Sequence, residues 1–305
     1  MIIYQRCPVC DSTGIQKFLT ATDHTVSKEP FEIWQCAHCS LRFTQNIPEQ
    51  HDIGRYYQSD EYISHTETNK GIINRLYLWV RQLTLRSKQK FIEEKGGMKK
   101  GRLLDVGAGT GAFVHHMQKA GWQVTGLEPD ATAIGRAQSQ YGLNLRPVDS
   151  LFALPAASFD VITMWHVLEH IHDLHGYIEQ LKKLLKPSGK LFIAVPNYTS
   201  RDAGQYRAYW AAYDVPRHLY HFSPAAMQAL MNRHHLKIDG LQPMWFDSFY
   251  VSMLSEKYKT GSAGLIKGFF SGLRSNVRAL SNRRKASSII YVISSGPLPE
   301  EIPAK

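Results

Sequence analysis

Leu103-Leu104-Asp105-Val106-Gly107-Ala108-Gly109-Thr110-Gly111 is the stretch whose reading decides the fold. An apolar strand runs into a glycine-rich turn, and the turn opens a helix. Glycine takes positive φ angles and lets a ligand approach the backbone closely. A helix N-terminus favours a carboxylate or another anion. Alone, such a glycine run also fits a dinucleotide site. Dinucleotide sites prefer GxGxxG, whereas here the glycines are Gly107, Gly109 and Gly111, with Asp105 two residues before the first.

Outward from this turn, strand and helix patterns alternate, which predicts an α/β domain with a parallel sheet covered on both faces. Strands are expected at Arg102–Val106, Gln123–Leu127, Leu143–Pro147, Val161–Met164, Lys190–Val195, Leu236–Met244 and Ser288–Ile293. Helices are expected from near Gly111, over about 131–141, over about 173–185 up to the turn Lys186-Pro187-Ser188-Gly189, and near 224–233, where Ser223-Pro224 reads as an N-cap followed by a first-turn proline. Glu128 closes the second strand, 23 residues after Asp105. A carboxylate there can accept both hydroxyls of a ribose. Asp149 follows the third strand, where an adenine amine needs an acceptor. Ser158-Phe159-Asp160 leads into the fourth strand.

Over about 101–295 these features resemble the class I S-adenosylmethionine (SAM)-dependent methyltransferases. The resemblance rests on the glycine run, Gly126-Leu127-Glu128-Pro129-Asp130, the acid after strand 3, the segment from Phe159 to Ile171, and that from Leu184 to Asn197. It implies a Rossmann-like sheet of seven strands in the order 3-2-1-4-5-7-6, the seventh antiparallel. It also implies SAM as cofactor. Asp105, Gly107, Ala108, Gly109 and Gly111 would hold the methionine part, Glu128 and Pro129 the ribose, Asp149 the adenine, and Trp165 a wall beside them. A nicotinamide-cofactor domain and a methyltransferase fold without activity are the competing readings.

Methyl transfer from a sulfonium is an in-line displacement, so the acceptor must be aligned and a hydroxyl acceptor deprotonated. Bases are expected at the C-terminal ends of the strands. His166 and His170, four residues apart after strand 4, would share a face of a helix, as a metal pair or as a polar wall. The loop from Tyr213 to Ser223 offers His218, preferred, or His221 as base, with Arg217 as an anion clamp. The other reading is an Asp–Arg–His network that only fastens the loop. The run Asp214-Val215-Pro216-Arg217-His218, with Phe222 beyond it, resembles bacterial methyltransferases linked to sugars and cell-surface polysaccharides, as do Tyr56-Tyr57, Tyr62 and the N-terminal cysteines. The deoxysugar C-methyltransferases of that group are longer, so O-methylation of a sugar or glycolipid-like small molecule is the expected reaction. A ubiquinone-type methyltransferase, an RNA base methyltransferase with a zinc ribbon, and a non-catalytic SAM-binding protein are the alternatives. The signature for exocyclic base amines is missing after strand 4, which makes a nucleic-acid acceptor the weaker expectation.

All four cysteines of the 305-residue chain fall in two CxxC pairs, Cys7/Cys10 and Cys36/Cys39, separated by 25 residues. That spacing is a zinc ribbon, with four thiolates closing a structural site; His24 and His38 read as bystanders. The expected organisation is a ribbon over 1–47, a helical cap or linker over 48–100 with helix over 51–95 and apolar positions at Ile72, Ile73, Leu76, Leu78, Trp79, Leu83 and Leu85, and the methyltransferase domain over 101–305. The net charge is +10, and residues 250–286 carry eight Lys and Arg against Glu256. There Leu265, Ile266, Phe269, Phe270, Leu273, Val277 and Leu280 recur at helical spacing among basic residues, as in a basic amphipathic helix. Contact with a membrane surface or lipid-linked substrate, packing on the protein or a second copy, and RNA contact are all open for it. No apolar run is long enough to span a bilayer and no signal peptide is legible, so a cytoplasmic, optionally membrane-peripheral, location is expected.

Overall fold

The protein is described by a computed structural model over residues 1–58, 72–262 and 264–296, with side chains described from residue 80 onward in the second segment. Its larger sheet has six strands in the order β5-β4-β6-β7-β10-β9. These are β4 (Arg102–Val106), β5 (Gln123–Leu127), β6 (Phe159–Trp165), β7 (Leu185–Pro196), β9 (Leu236–Pro243) and β10 (Ser288–Ser295). β5, β4, β6 and β7 are parallel, whereas β10 runs antiparallel to both β7 and β9. This is the expected order without its first strand. Leu143–Pro147 makes only one parallel bridge, Arg146 to Leu127, with Arg146 N–H on Gly126 O at 3.0 Å. Pro147 has no N–H to extend the ladder, and a 3-10 turn, Val148–Ala153, starts at the next residue. Leu143 and Leu145 still bury their side chains.

The central strands read as apolar runs because helices cover both faces. Leu191–Val195 is buried along its whole length. The covering helices are α1 (Ile72–Gly96), α2 (Ala112–Lys119), α3 (Ala131–Tyr141), α4 (Leu174–Leu184) and α6 (Pro224–Arg233), with α5 (Arg201–Tyr206) before the last. Side chains cap α3, α4 and α6: Asp130 accepts from Thr132 N–H, Asp173 from Gly176 N–H and Ser223 from Ala226 N–H. The expected turn at 186–189 lies inside β7 as a bulge between the pairs Phe159–Leu185 and Val161–Lys190. Lys186 reaches across it to Asp160 at 2.7 Å.

The N-terminal module is a small antiparallel sheet of β1 (Ile15–Thr22), β2 (Pro30–Cys36) and β3 (Arg42–Thr44). Its fourth strand comes from far along the chain: β8 (Tyr220–His221) pairs with β3. The module therefore shares a sheet with the loop after β7. Of the helix expected over 51–95, the described residues show a 3-10 turn at Ile53–Tyr57 and α1. Tyr62 lies outside the described residues, as do the side chains of Ile72, Ile73, Leu76, Leu78 and Trp79. The amphipathic helix expected from Leu265 to Leu280 is α8 (Leu265–Ser281), and a second helix, α7 (Asp247–Thr260), packs against it as the other arm of a hairpin.

One buried cation ties the N-terminal module to the loop after β7. Arg217 is 1% exposed. Its Nη2 lies 2.9 Å from Asp23 Oδ1 and 2.7 Å from Asp214 Oδ1, its Nε donates to Asp214 at 3.0 Å, and its Nη1 donates to Tyr56 O at 2.7 Å. It also donates to the Thr25 hydroxyl. Burial would raise the pKa of Asp23, but Arg217 and the turn amides hold it well below the carboxylate range. For Arg217 these are the contacts of a fastening residue and not of an anion clamp, since the guanidinium faces protein on every side described. Arg217→Met strands two carboxylates without their counter-charge. We expect it to lower the unfolding free energy in urea titrations by about 3–5 kcal/mol; a loss below about 1 kcal/mol would contradict the assigned role.

Candidate functional site

The turn after β4 takes positive φ at Gly107 (74°), Gly109 (54°) and Gly111 (78°). A Cβ at Gly107 would stand 2.4 Å from Val167 Cγ2, and one at Gly111 2.7 Å from Leu143 Cδ1. A Cβ at Gly109 would meet nothing within 4 Å, so the middle of the turn faces open space. Glu128, at the end of β5, leans over that opening. Its Oε2 accepts Gly109 N–H at 2.7 Å and its Oε1 accepts Asp130 N–H at 3.0 Å. Burial raises its pKa above the ordinary value, against those two hydrogen bonds. Ala108 is buried beneath the turn, Pro129 is exposed beside Glu128, and Asp149 is exposed in the first turn of the 148–153 segment.

Beneath the turn, Asp105 is almost fully buried and accepts the Thr163 hydroxyl at 2.6 Å. Burial pushes its pKa up to about 7. Trp165 packs edge-on to Phe113 at 5.4 Å, and its indole Nε1 is buried with no hydrogen-bond partner among the described residues. Lys88 of α1 sets its Nζ 4.0 Å from the Trp165 ring centroid. Burial lowers the Lys88 pKa to about 8, against the pull of Asp105 and Asp247. Lys88 escaped the sequence reading, although a signal was there. It shares a helix face with the buried Leu85 and Ile92, where an apolar residue would be ordinary.

His166 and His170 do not share a helix face. β6 ends at Trp165, His166 takes a left-handed φ of 58°, and only a 3-10 turn, Leu168–His170, follows. The two rings diverge. His166 lies 3.3 Å from Glu169 and 2.9 Å from Asp247. Burial would lower its pKa, but the two carboxylates raise it to about 10, so it is an imidazolium in an ion pair. His170 has its Nδ1 3.0 Å from Arg217 O and 3.1 Å from the Tyr57 hydroxyl, and burial, with His218 beside it, lowers its pKa to about 4. His218 packs edge-on to His170 at 4.6 Å. Its Nδ1 lies 2.9 Å from Ala212 O, an acceptor that takes the Nδ1 proton, and its Nε2 lies 4.0 Å from Asp214 Oδ2. Glu169, His170 and His218 hold donor atoms within 4.8 Å of one another, and Glu169 Oε2 is buried without a hydrogen-bond partner among the described residues. His221 lies apart, in β8, with Nε2 3.1 Å from Thr44 Oγ1 and its pKa depressed by burial.

The four cysteines meet at one point. Cys7 and Cys39 sulfurs are 3.5 Å apart, Cys10 and Cys36 sulfurs 3.6 Å, and all four lie within 4.8 Å of one another. These separations exceed a disulfide bond by well over an ångström. A tetrahedron with zinc–sulfur bonds of about 2.3 Å has sulfur–sulfur edges of about 3.8 Å, so the donor set fits zinc. His38 is exposed, and His24 stacks on Tyr258 at 4.4 Å, outside the cluster.

A family model described as methyltransferase domain matches residues 78–240. The chain is similar to the ubiquinone biosynthesis O-methyltransferase of Xanthomonas axonopodis pv. citri, with 30% identity over 159 residues, or 48% of this chain and 66% of that protein. It is also similar to the protein of the same description in Xanthomonas campestris pv. campestris strain B100, with 35% identity over 105 residues, or 32% of this chain and 44% of that one. The chain thus spans less than two thirds of the length of these relatives. Among solved structures, Burkholderia thailandensis 1,6-didemethyltoxoflavin-N1-methyltransferase, with bound 1,6-didemethyltoxoflavin and S-adenosylhomocysteine, aligns over 90% of this chain and 100% of its own, with a TM-score of 0.50 and 14% identity. That likeness concerns the fold. With the family model covering more than half of its length and a Rossmann-like sheet beneath the site, the chain belongs to the methyltransferase-domain family.

Proposed function

We propose that this chain is a SAM-dependent O-methyltransferase whose acceptor is a hydroxyl of a sugar or glycolipid-like small molecule, with His218 as general base. The observation that carries the reading is the alignment of three features along one path. The open glycine turn lies under Glu128, the 165–170 segment packs on Gly107 through Val167, and His170 at its end touches His218. SAM supplies a methyl group on a positively charged sulfur. Glu128 would hold the ribose hydroxyls, the turn from Gly107 to Gly111 would hold the methionine part, and Asp149 at the rim would meet the adenine amine. Trp165 walls the site, and Asp105 steadies the turn from below. His218 is positioned by its Nδ1–H bond to Ala212 O, so that its Nε2 would take the proton of the acceptor hydroxyl whose oxygen displaces the thioether from the methyl group. The buried Arg217 holds the His218 loop in register for that step.

The curated relatives support a second reading within the same chemistry, a ubiquinone-type acceptor with a ring hydroxyl. The two readings differ in the acceptor and share the base. Supplying labelled SAM to cell fractions separates them: label in a polysaccharide or glycolipid fraction supports the first, label in a quinone fraction the second, and label in RNA contradicts both. His218→Ala is expected to slow methyl transfer by about 10²–10⁴-fold with SAM affinity unchanged. An unchanged kcat would remove His218 from the reaction.

The cysteine cluster holds a structural zinc ion in this proposal, since four thiolates leave no open position for chemistry. Metal analysis of the purified protein should find about one zinc per chain. Cys36→Ser should lose the ion and unfold the 1–47 module at lower temperature. Metal-free protein with an unchanged melting curve would contradict a structural ion.

A further inference from the structure

The hairpin of α7 and α8 is built inside out. Against α7, α8 turns its small residues: Gly268, Ser271, Gly272, Ser275 and Ala279 are buried. The approach is close, because a Cβ at Gly268 would stand 2.5 Å from Met253 Cα and one at Gly272 2.8 Å from Phe249 Cα. Ser275 anchors the helix by donating to Asp202 at 2.6 Å. The large apolar residues point the other way. Leu265, Ile266, Phe270, Leu273, Val277 and Leu280 are all exposed, with Ile266 at 75%, Leu280 at 72% and Val277 at 59%. At about 100° per residue they sweep roughly 140° of the helix surface as one strip. A water-facing helix ordinarily buries such a strip, and a continuous exposed one marks an interaction surface.

The charges around the strip select its occupant. Lys267, Arg274 and Arg278 are exposed along one edge, and Arg283 and Arg284 continue the row beyond the helix. The acids of the hairpin do not offset them: Asp247 is paired with His166, and Glu256 is buried. A second copy docked strip to strip would bring together two faces of the same sign. RNA would match the edge and leave the aliphatic strip wet. An anionic lipid surface satisfies both parts, because its acyl boundary takes the apolar side chains and its headgroup phosphates take the Lys and Arg.

We infer that the α7–α8 hairpin docks this protein onto an anionic lipid surface, with the exposed strip of α8 lying in the interface plane and its basic edge on the headgroups. The hairpin is coupled to the proposed active site, since Asp247, the first residue of α7, lies 2.9 Å from His166. Docking thus holds the site close to lipid-borne acceptors. The inference rests on α8 alone and does not require the proposed reaction.

Vesicle co-sedimentation tests it, using phosphatidylcholine vesicles with and without phosphatidylglycerol. The wild-type chain should sediment with the mixed vesicles and bind phosphatidylcholine alone about tenfold or more weakly. Two variants probe the two parts, Ile266→Asp with Val277→Asp for the strip, and Lys267→Glu with Arg274→Glu and Arg278→Glu for the edge. Each should reduce binding to mixed vesicles by about tenfold or more, with circular dichroism and melting unchanged as proof of folding. Absence of wild-type binding to both vesicle types overturns the inference. So does binding that neither variant weakens. A wild-type dimer that Ile266→Asp dissociates would assign the strip to a second copy instead. RNA binding lost only in the charge variant, without vesicle binding, would assign the edge to nucleic acid.

Discussion

The buried guanidinium of Arg217 is the constraint on which the arrangement of this protein depends. A cation that is 1% exposed is tolerable only if its counter-charges are fixed around it. Those counter-charges come from distant parts of the chain, Asp23 of the N-terminal module and Asp214 of the loop after β7, while Tyr56 adds its carbonyl from the turn between module and domain. The same residue orders the candidate base pair. Its carbonyl lies against His170 Nδ1, and the next residue in the chain is His218. The shared sheet of β3 and β8 reinforces this joint from the other side. The cysteine module is thus part of the frame that holds the histidine loop.

The second organising element is the short segment after β6. Val167 packs where a side chain at Gly107 would stand, which ties the segment to the glycine turn. His166, in a left-handed conformation, turns its ring toward Asp247 and Glu169 and becomes a fixed cation. His170, at the end of the single 3-10 turn that follows, is held neutral by burial. Two histidines four residues apart therefore have opposite charge states. The difference comes from neighbours, since His166 has two carboxylates and His170 has a carbonyl and a second imidazole. The same segment links the glycine turn to the α7–α8 hairpin through the contact of His166 with Asp247.

Much of the α/β core was legible in the sequence because its signals are local. Parallel strands buried on both faces read as apolar runs, and α6 begins at Ser223-Pro224, which is a cap in the structure too. The cysteine cluster was legible for the same reason, since each pair makes its own turn. What escaped is set by contacts between distant residues. The third strand shrank to a bridge at Arg146 because Pro147 ends the ladder. The helix face proposed for His166 and His170 failed on one backbone angle. Nothing near Tyr220 announces that it pairs with Phe43. Lys88 enters the site from a helix outside the motif region, and only its place among apolar neighbours marks it. The apolar strip of α8 was found by periodicity, but its outward direction follows from Gly268 and Gly272, which let α7 approach from the small-residue side.

The most direct measurement of the whole account is calorimetric titration of the purified protein with S-adenosylhomocysteine, beside Glu128→Ala. The account predicts saturable binding to the wild-type chain, and an affinity for the variant weaker by about tenfold or more, the cost of losing charge-assisted hydrogen bonds to the ribose. No binding by the folded wild-type protein, or an equal affinity for both proteins, would contradict it.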